Sequence, residues 1–458
     1  MTAPRHIAVI DIGKTNAKLA LVDLDSLTEI AVVTRPNEVR PGPPWPHYDV
    51  DGHWAFLLDA LGQFHRAHGV DAISVTTHGA CAALLAEDGT LAAPILDYEH
   101  TYPDEIIAAY DQLRPDFALT GSPKLTGGLN IGAQLHYQLA AVPSLRDRIA
   151  QIVTYPQYWG HRLTGVAASD VTSIGCHTDL WVPRAGAFSD LPRRLGIENK
   201  FAPVRRSADI LGPILPQIAE VTGLPSDTPV CVGIHDSNAS LYPHILGQNG
   251  AFSVVSTGTW VVVMSMGGSD LPLDPDRDSL MNVNARGDVV PSARFMGGRE
   301  YEVIQQGRDT TPTDAEIAEV LSQGLMILPA VEPTTGPYQG HQMRWTGEEP
   351  AVGTGHRSAA LSFYLAMMTD TCLRLTGASG PTQIEGPFAQ NPEFTAMLEA
   401  ATGREVLTSS ARTGTSIGAA MLIGGTTQVT KPSRKVPAEN TATLEHYAAR
   451  WRALGGSA

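Results

Sequence analysis

Cysteine is scarce in this sequence of 458 residues, and long apolar runs are missing. The four cysteines never fall into a C-x-x-C spacing, which argues against a zinc site and against a disulfide framework. No run reaches the roughly 18 apolar residues of a membrane-spanning helix, and no apolar signal segment opens the chain. We therefore expect a cytoplasmic protein with free, buried thiols and no membrane partner.

Positive charge is also in short supply. The chain has 32 Lys and Arg residues against 47 Asp and Glu, which gives a formal net charge of −15 at pH 7. Nucleic-acid backbones bind basic faces, so we expect no nucleic acid as a partner. A nucleotide is still compatible with this balance, because local amides, one lysine and a metal ion suffice to hold its phosphates.

A complete Walker A motif is a third absence. Gly13-Lys14-Thr15 matches the end of that motif, which requires another glycine five positions before its last one. That position holds Ala8. A second apolar run, 19–22, also follows where a P-loop would begin a helix. The pattern predicts a strand, a tight glycine turn and a second strand.

Strand-like and helix-like segments alternate along the chain, which is the pattern of an α/β fold. The length exceeds what one hydrophobic core usually covers, so we expect two domains. A strand–turn–strand unit at 250–266 repeats the design of the opening segment and supports this division. The strand-like runs lie at 7–12, 18–22, 72–76 and 230–234, and the helix-compatible segments at 53–69 and 101–118.

The domain boundary is predicted after residue 246, which gives domains 1–246 and 247–458. A glycine-bearing break at 244–250 is the reason for this placement. The end of the chain predicts a polar linker followed by a short amphipathic helix. No tandem repeat indicates a solenoid or propeller.

The first predicted turn carries a cluster of small and polar residues. Its glycine lets the backbone approach a ligand, and short polar side chains suit phosphate oxygens. An aspartate at the strand end could hold Mg²⁺ through water. A plain hairpin turn with a solvated aspartate and lysine is the alternative. The members are Asp11, Gly13, Thr15, Asn16 and Lys18.

The second predicted turn has the same character. Ser256, Thr257, Gly258 and Thr259 place hydroxyl groups around a glycine between two apolar strands. Such a turn offers a compact set of hydrogen-bond donors. Ordinary β-turns commonly share this composition, so an unremarkable turn is the alternative.

A third segment, 229–241, brings His235 and Asp236 to the end of an apolar strand. The carboxyl ends of sheet strands are where α/β proteins place active sites. An aspartate there can accept the proton of a hydroxyl that attacks phosphorus. The alternative is a helix N-cap, because aspartate and serine both cap helices well.

The fourth segment, 384–406, predicts a strand ending at Glu385-Gly386 and a helix with Asn391 near its start. A glycine- and alanine-rich helix at 414–424 follows. Glycine-lined surfaces accept flat ligands such as adenine, although glycine and alanine also serve simple helix packing.

In this order, the four segments resemble the FGGY carbohydrate kinases, which are sugar kinases of the actin-like ATPase superfamily. The resemblance runs from about residue 6 to residue 425. It implies an α/β fold with two actin-like (ribonuclease H-like) ATPase domains and an interdomain cleft. It also implies ATP and Mg²⁺ as cofactors.

The resemblance assigns a role to each segment. The family's catalytic base lies in a G-x-x-D-x-x-A motif, matched here by Gly233, Asp236 and Ala239. The adenosine motif resembles Gly386 through Asn391. The metal position and the two phosphate loops match Asp11, then Gly13, Thr15, Asn16 and Lys18, and finally Thr257, Gly258 and Thr259.

The sugar contacts follow from a narrower resemblance to the rhamnulose and fuculose kinase branch. In that branch a histidine precedes the base and helps to hold the sugar, which here is His235. Histidines and carboxylates suit a polyhydroxylated ligand, because each can make paired hydrogen bonds to its hydroxyls. The other positions that match are His78, Gly79, Asp97 and Glu99.

Two departures from the family pattern stand out. Lys14 occupies a place where a small hydroxyl residue is usual, and two roles stay open for it, a phosphate contact or a solvent-facing position. The adenosine loop reads Glu385-Gly386 where the family has a glycine pair.

The resemblance implies ATP-dependent phosphorylation of a sugar, with Asp236 removing the proton from the accepting hydroxyl. A ketose such as L-rhamnulose or L-fuculose is the expected substrate. The alternative is a non-catalytic sensor that binds nucleotide and sugar without transfer. A chaperone-like ATPase of the same superfamily is the disfavoured interpretation, because this sequence has the His235-Asp236 motif. A homodimer is left open.

Overall fold

The structure is a computed structural model that describes residues 4–246, 248, 250–408, 414–424, 433–434 and 441–455. Within these ranges the chain forms two compact units, and each combines helices with a seven-stranded sheet. The predicted two-domain α/β fold is therefore confirmed, while the boundary after residue 246 stays a prediction. Of the described residues, the first unit comprises 4–246, 248, 281–289 and 414–424, and the second comprises 250–280, 290–408, 433–434 and 441–455.

Residues 4–246 supply fifteen strands and ten helices. The strands are β1 (His6–Ile12), β2 (Asn16–Asp23), β3 (Thr28–Pro36), β4 (Val39–Arg40), β5 (His47–Tyr48), β6 (Ala72–Thr77), β7 (Ala82–Leu85), β8 (Gln151–Thr154), β9 (Ser169–Asp170), β10 (Trp181–Val182), β11 (Ala187–Phe188), β12 (Val204–Arg205), β13 (Ile210–Pro213), β14 (Pro229–Cys231) and β15 (Ile234–His235). The helices are α1 (Val50–His68), α2 (Asp104–Asp111), α3 (Phe117–Thr120), α4 (Ile131–Ala141), α5 (Leu145–Arg148), α6 (Tyr155–Thr164), α7 (Val171–Ile174), α8 (Leu191–Arg194), α9 (Pro216–Thr222) and α10 (Asp236–Ile245).

The described residues from 250 onward add further strands and helices. The strands are β16 (Phe252–Thr257), β17 (Val261–Met266), β18 (Ser279–Val283), β19 (Val289–Phe295), β20 (Ile327–Leu328), β21 (Arg344–Trp345), β22 (Thr382–Glu385), β23 (Val406–Thr408) and β24 (Ser433–Arg434). The helices are α11 (Gly297–Gln305), α12 (Asp314–Gln323), α13 (Gly355–Leu375), α14 (Pro392–Thr402), α15 (Thr415–Gly424) and α16 (Thr441–Gly455).

The first sheet has the order β13-β14-β6-β1-β2-β3, and β15 also pairs with β6. β1 and β2 form the predicted antiparallel hairpin, whereas β6 runs parallel to both β1 and β15. Across these pairs Asp11 lies opposite Thr76, and His235 lies opposite Thr77. Parallel strands end on the same edge of a sheet, so this register brings the ends of β1, β6 and β15 together.

The second sheet has the order β18-β19-β17-β16-β22-β23-β24 and repeats the central arrangement of the first. β16 and β17 form the predicted antiparallel hairpin, and β16 runs parallel to β22. Ser256 lies opposite Glu385 in this pair. The turn after β16 and the loop after β22 therefore share one edge of the sheet.

Two predicted elements are interrupted. The strand predicted at 230–234 is divided into β14 and β15, because Gly233 adopts a positive φ of 90° between them. A Cβ there would lie 2.6 Å from the Val75 carbonyl oxygen, so the position requires glycine. The helix predicted at 101–118 is divided into α2 and α3. Pro115 lies between the two pieces, where its missing amide and fixed φ disfavour a continuous helix.

The glycine- and alanine-rich segment forms α15, which packs in the first unit against α10 and β6. Gly418 faces the Ala239 carbonyl so closely that a Cβ would overlap it. The Ser74 hydroxyl donates to the Ala419 carbonyl oxygen at 2.7 Å. The small side chains therefore serve close backbone approach, as the sequence predicts.

All four cysteines are buried and free, as expected from the sequence. No helix in the described part of the chain combines the length and apolarity that crossing a membrane requires. The predicted amphipathic helix at the end of the chain is α16. The polar linker before it lies outside the described residues, apart from 433–434.

Trp451 anchors α16 within the second unit. Its side chain is fully buried, packs against the rings of Tyr338 and Tyr364, and donates from Nε1 to the Ile327 carbonyl oxygen at 2.7 Å. Burial of an indole with a satisfied N–H is a large stabilising contribution.

We predict that Trp451→Ala lowers the free energy of unfolding of the second unit by about 3–5 kcal/mol, because it leaves a cavity and an unpaired carbonyl. Urea denaturation followed by circular dichroism measures this change. Leu454→Ala on the same helix is the control, since Leu454 is 39% exposed and its loss should have little effect. Equal unfolding midpoints for the two variants would contradict the anchoring role.

Candidate active site

The turn between β1 and β2 is braced by backbone hydrogen bonds. The Gly13 N–H donates to the Asn16 carbonyl oxygen at 2.9 Å, and the Asn37 N–H donates to the Thr15 carbonyl oxygen at 2.9 Å. Asn37 Nδ2 also donates to the Gly13 carbonyl oxygen at 2.8 Å. A Cβ on Gly13 would meet only the Asn16 carbonyl oxygen, at 3.5 Å. Packing within the protein therefore does not require a glycine at position 13, although approach of a ligand would.

Asp11 and Lys18 lie opposite each other at the open end of this hairpin. Lys18 Nζ is 3.1 Å from Asp11 Oδ2 and 3.3 Å from Glu29 Oε1. Burial raises the pKa of Asp11 in spite of Lys18, while the two carboxylates outweigh burial and raise the pKa of Lys18. Asp11 is therefore a carboxylate whose negative charge the protein compensates incompletely. Thr15 and Asn16 are exposed at the tip of the turn.

His78 follows directly after β6 and is only 7% exposed. Its ring lies 5.5, 5.0 and 4.9 Å from the rings of Tyr48, Tyr98 and Tyr155, measured between centroids. Burial lowers the pKa of His78 to about 4, so the ring is neutral. Both ring nitrogens are buried without a hydrogen-bond partner. Unpaired buried nitrogens are costly, and a polar ligand could satisfy them.

His235 and Asp236 stand at the junction of β15 and α10. His235 Nε2 is 3.0 Å from Asp236 Oδ1, and the Ser237 N–H donates to the same oxygen at 2.6 Å. His235 occupies the N-cap position and Asp236 is the first helical residue, so Asp236 is not the N-cap that composition alone would favour. The Asp236 side chain is 36% exposed and can therefore meet a ligand.

The electrostatics of this pair favour an ionised Asp236. Burial opposes the charged form, but the hydrogen bond and charge of His235 outweigh it and lower the pKa of Asp236. Burial also opposes protonation of His235, yet Cys176 and Asp236 raise its pKa. Gly79 allows the histidine to approach, since a Cβ there would lie 2.6 Å from the His235 ring.

Cys176 lies close enough to His235 to raise its pKa, and the sequence did not indicate this cysteine as part of the site. A single cysteine with no motif around it carries no local signal, and only the fold brings it beside the histidine. Among the residues singled out from sequence, Asp97 is buried near Lys14, and Glu99 is 62% exposed beside it.

In the second hairpin, the hydroxyl of Thr257 forms hydrogen bonds within the protein. The Thr257 hydroxyl donates to the Glu385 carbonyl oxygen at 2.6 Å and accepts from the Phe388 N–H at 3.1 Å. Gly386 has a φ of 84°, and a Cβ there would overlap the Thr257 carbonyl. Thr257 and Gly386 therefore tie the turn after β16 to the loop after β22. Gly258 has open space at its Cβ position, with the nearest atom at 3.9 Å.

A cavity of about 770 Å³ opens beside this turn within the second unit. Its volume falls in the range of small-molecule sites. Gly258, Thr259 and Asn391 line it, together with residues of α11 that sequence reasoning missed, such as Tyr301 and Gln305. An amphipathic helix with polar residues gives no sequence signal that distinguishes a cavity wall from a solvated face.

Asn391 has a structural role at this cavity as well. Its Oδ1 accepts from the Phe394 N–H at 2.9 Å, which caps α14, and its Nδ2 donates to the Ser362 hydroxyl at 2.9 Å.

A wider cavity of about 1430 Å³ in the first unit, lined by Gly89, His161 and Lys200 among others, contains none of the predicted site residues.

Comparison with known proteins places this chain among sugar kinases. The model for the N-terminal domain of the FGGY family of carbohydrate kinases matches residues 6–242, and the C-terminal domain model matches residues 249–432. The solved structure of a carbohydrate kinase from Novosphingobium aromaticivorans is 36% identical, covers 100% of this chain and 99% of its own, and has a TM-score of 0.90.

Two further relatives are more distant. Xylulose kinase from Rhodospirillum rubrum, 18% identical with a TM-score of 0.76, covers 99% of this chain and 98% of its own, and its likeness concerns the fold alone. L-fuculokinase of Escherichia coli (strain K12) is 24% identical over 273 residues, which are 56% of each chain. The chain thus spans about half the length of the curated relatives it matches. Because the two domain models together cover nearly all of it, the chain belongs to the FGGY family of carbohydrate kinases.

Proposed function

We propose that this protein transfers the γ-phosphoryl group of ATP to a hydroxyl of a sugar. The observation that carries the proposal is the meeting of Asp11, His78 and Asp236 at one edge of the first sheet, where β1, β6 and β15 end. An ionised, partly exposed carboxylate and a buried histidine with two unpaired nitrogens suit a polyhydroxylated substrate there.

Asp236 is the proposed general base. Its lowered pKa keeps it ionised at neutral pH, so it can accept the proton of a sugar hydroxyl. The hydroxyl oxygen then forms a bond to the γ-phosphorus while the bond from that phosphorus to ADP breaks. His235 holds Asp236 through the contact at 3.0 Å and stabilises its charge before the proton arrives.

The residues present fit Mg²⁺ as the accompanying ion. No group of three or more His, Cys, Asp or Glu side chains in the described ranges forms a complete metal cage. Mg²⁺ does not require one, since it commonly binds one or two carboxylates and takes water and phosphate as its other ligands. Asp11, with its incompletely compensated charge, would hold the ion. When bound, Mg²⁺ neutralises charge on the phosphate oxygens.

The nucleotide is proposed to use two features. The turn at Gly13 leaves room for phosphate oxygens beside its backbone, with Thr15, Asn16 and Lys18 nearby. The cavity at Gly258, Thr259 and Asn391 has the size and glycine-lined wall that a nucleoside needs.

A ketose such as L-rhamnulose or L-fuculose is the proposed acceptor. The partial similarity to L-fuculokinase supports this choice, and the resemblance that places His235 before the base points to the same branch. A cytoplasmic location is part of the same proposal, because four free thiols suit a reducing compartment.

We predict that Asp236→Asn lowers kcat on the best ketose by about 10² to 10⁴, because the variant lacks the general base. ATP binding measured by calorimetry should change little. A coupled ADP-release assay with a panel of ketoses and polyols identifies the substrate and supplies the rates. The control is Asp227→Asn, an exposed aspartate of the same unit that should keep full turnover. Near-normal turnover of Asp236→Asn would contradict the assignment.

We predict that His235→Gln moves the acid limb of the pH profile of kcat/KM to higher pH. Activity requires ionised Asp236 and falls as the pH drops through its pKa, which His235 holds below the ordinary value. Without the histidine that pKa rises, so activity is lost sooner on acidification. His68→Gln, at the exposed end of α1, is the control. An unmoved acid limb would show that His235 does not tune the base.

We predict that Gly13→Val weakens ATP binding strongly while leaving the thermal midpoint nearly unchanged. The Cβ of the new side chain has room in the protein, so a loss of ATP affinity without a loss of stability would come from the ligand it displaces. Gly212→Val in β13 is the matched control. A Cβ at Gly212 would meet only side-chain carbons, at 3.8 Å, and Gly212 does not belong to the predicted phosphate loop. Calorimetric titration with ATP measures both. Wild-type affinity in Gly13→Val would place the phosphates elsewhere.

A further inference from the structure

Lys14 stands at the tip of the first hairpin, where the sequence leaves a phosphate contact or a solvent-facing position open. The structure pairs this lysine with two carboxylates of the protein. Lys14 Nζ lies 2.5 Å from Asp97 Oδ1 and 2.9 Å from Glu99 Oε2. Only 24% of its side chain is exposed. The tip of the β1–β2 hairpin, which is the predicted phosphate loop, is therefore bonded to Asp97 and Glu99, which are two of the predicted sugar contacts.

Aromatic rings enclose the lysine. Its Nζ lies 4.8 Å from the centroid of the Tyr98 ring and 5.7 Å from that of Tyr48, both within the range of cation–π attraction. Burial disfavours the ammonium, but its hydrogen bonds to Asp97 and Glu99 outweigh burial and raise the pKa of Lys14. The lysine is therefore a fixed positive charge in this pocket.

Asp97 is held by several donors on one oxygen. Its Oδ1 accepts from Lys14, from the Tyr48 hydroxyl at 2.9 Å and from the Glu99 N–H at 3.2 Å. None of the hydrogen bonds described for the chain involves the second oxygen, Oδ2. A carboxylate fixed through one oxygen presents the other in a defined direction, which suits a ligand hydroxyl.

His78 supplies an independent indication that a ligand belongs here. Its ring lies against Tyr48 and Tyr98, the same two rings that flank Lys14. Both of its nitrogens are buried and unpaired. The lysine, the fixed carboxylate and the unpaired imidazole therefore surround one polar site.

We propose that Lys14 is a positioning residue for the sugar. It fixes Asp97 so that this carboxylate can accept a hydrogen bond from a sugar hydroxyl, and it ties the β1–β2 hairpin to residues 97–99. The inference rests on the proposed kinase function, which supplies the sugar and the nucleotide. The nucleotide would order the Lys14 end of this ion pair, and the sugar would order the Asp97 end. Each ligand would therefore strengthen the binding of the other, and this coupling is reciprocal. Sugar binding should therefore tighten nucleotide binding through Lys14.

The surrounding charges also define the class of sugar. Asp97 and Glu99 already share the Lys14 ammonium, and Asp236 is paired with His235, so three carboxylates occupy the two cations named here. A sugar acid would bring its own carboxylate into this negative surrounding, where like charges repel. The site so built takes an uncharged sugar.

The central test is Lys14→Met, which keeps the length of the side chain and removes its charge. The KM for the ketose should rise about 10- to 100-fold, the cost of losing a hydrogen bond to a charged group. The KM for ATP in saturating sugar should rise much less, and the thermal midpoint without ligands should stay near that of the wild type. Lys14→Arg, which keeps the charge, should recover part of the loss.

Calorimetry measures the coupling without turnover. The affinity for a non-hydrolysable ATP analogue is determined with and without L-fuculose, L-rhamnulose or D-xylulose. The sugar should tighten analogue binding in the wild type and much less in Lys14→Met. Asp97→Asn combined with Lys14→Met should cost less than the sum of the single changes, since both remove one contact.

Lys124→Met is the matched control. Lys124 forms a similar ion pair with Asp111 at 2.6 Å, but its side chain is 55% exposed and lies outside the proposed site. It should leave the KM for sugar unchanged. A rise in the KM for ATP alone in Lys14→Met would make the lysine a phosphate ligand and overturn the proposal, as would wild-type values throughout.

Failure of the proposed function is separately visible. A wild-type protein that binds a ketose without phosphorylating it would contradict kinase activity, while the calorimetric comparison would still decide the role of Lys14. A wild-type protein that binds no sugar would contradict both.

Discussion

Parallel pairing of β6 with both β1 and β15 is the constraint on which the candidate site depends. It sets Asp11, His78 and the His235-Asp236 pair at the ends of three strands on one edge of the sheet. A slip of one residue in either pair would turn the side chains at that edge to the opposite face. Gly79 and Gly233 complete the arrangement, since any larger residue would collide with the His235 ring or the Val75 carbonyl.

The second unit applies the same design to another purpose. Its hairpin and the parallel strand β22 also bring two loops to one edge, and there Thr257 and Gly386 lock the loops together. The result is a braced cavity wall with an open glycine, Gly258. In the first unit the edge of the sheet at the hairpin has charged side chains, whereas in the second unit the corresponding edge forms the wall of a cavity.

Much of this could be predicted from the sequence, because strand ends and glycine turns leave local signals. The two hairpins and the positions of Asp11, Gly13 and Asp236 at strand ends and in a turn were predicted in that way, while the roles of these residues stay predictions. The direction of the Lys14 side chain could not be predicted, since it depends on the distant segment that holds Asp97. Asn391 shows the same limit, because its bond to Ser362 joins parts of the chain that no local pattern connects.

The break at Gly233 and the return of α15 to the first unit were also beyond sequence reasoning. An apolar run looks the same whether it forms one strand or two, and here the positive φ of Gly233 interrupts it. A small-residue helix signals close packing but not its partner, which here is α10. Long-range contacts thus decided what local patterns left open.

The central claim is that this chain moves a phosphoryl group from ATP to a ketose. Its most direct test is mass spectrometry of a reaction mixture containing the wild-type protein, Mg²⁺, ketoses and ATP labelled with ¹⁸O in the γ-phosphate. A kinase should yield one labelled phosphate on the ketose for each ADP released. Labelled inorganic phosphate with an unmodified ketose, or a ketose that is bound but never altered, would contradict the claim.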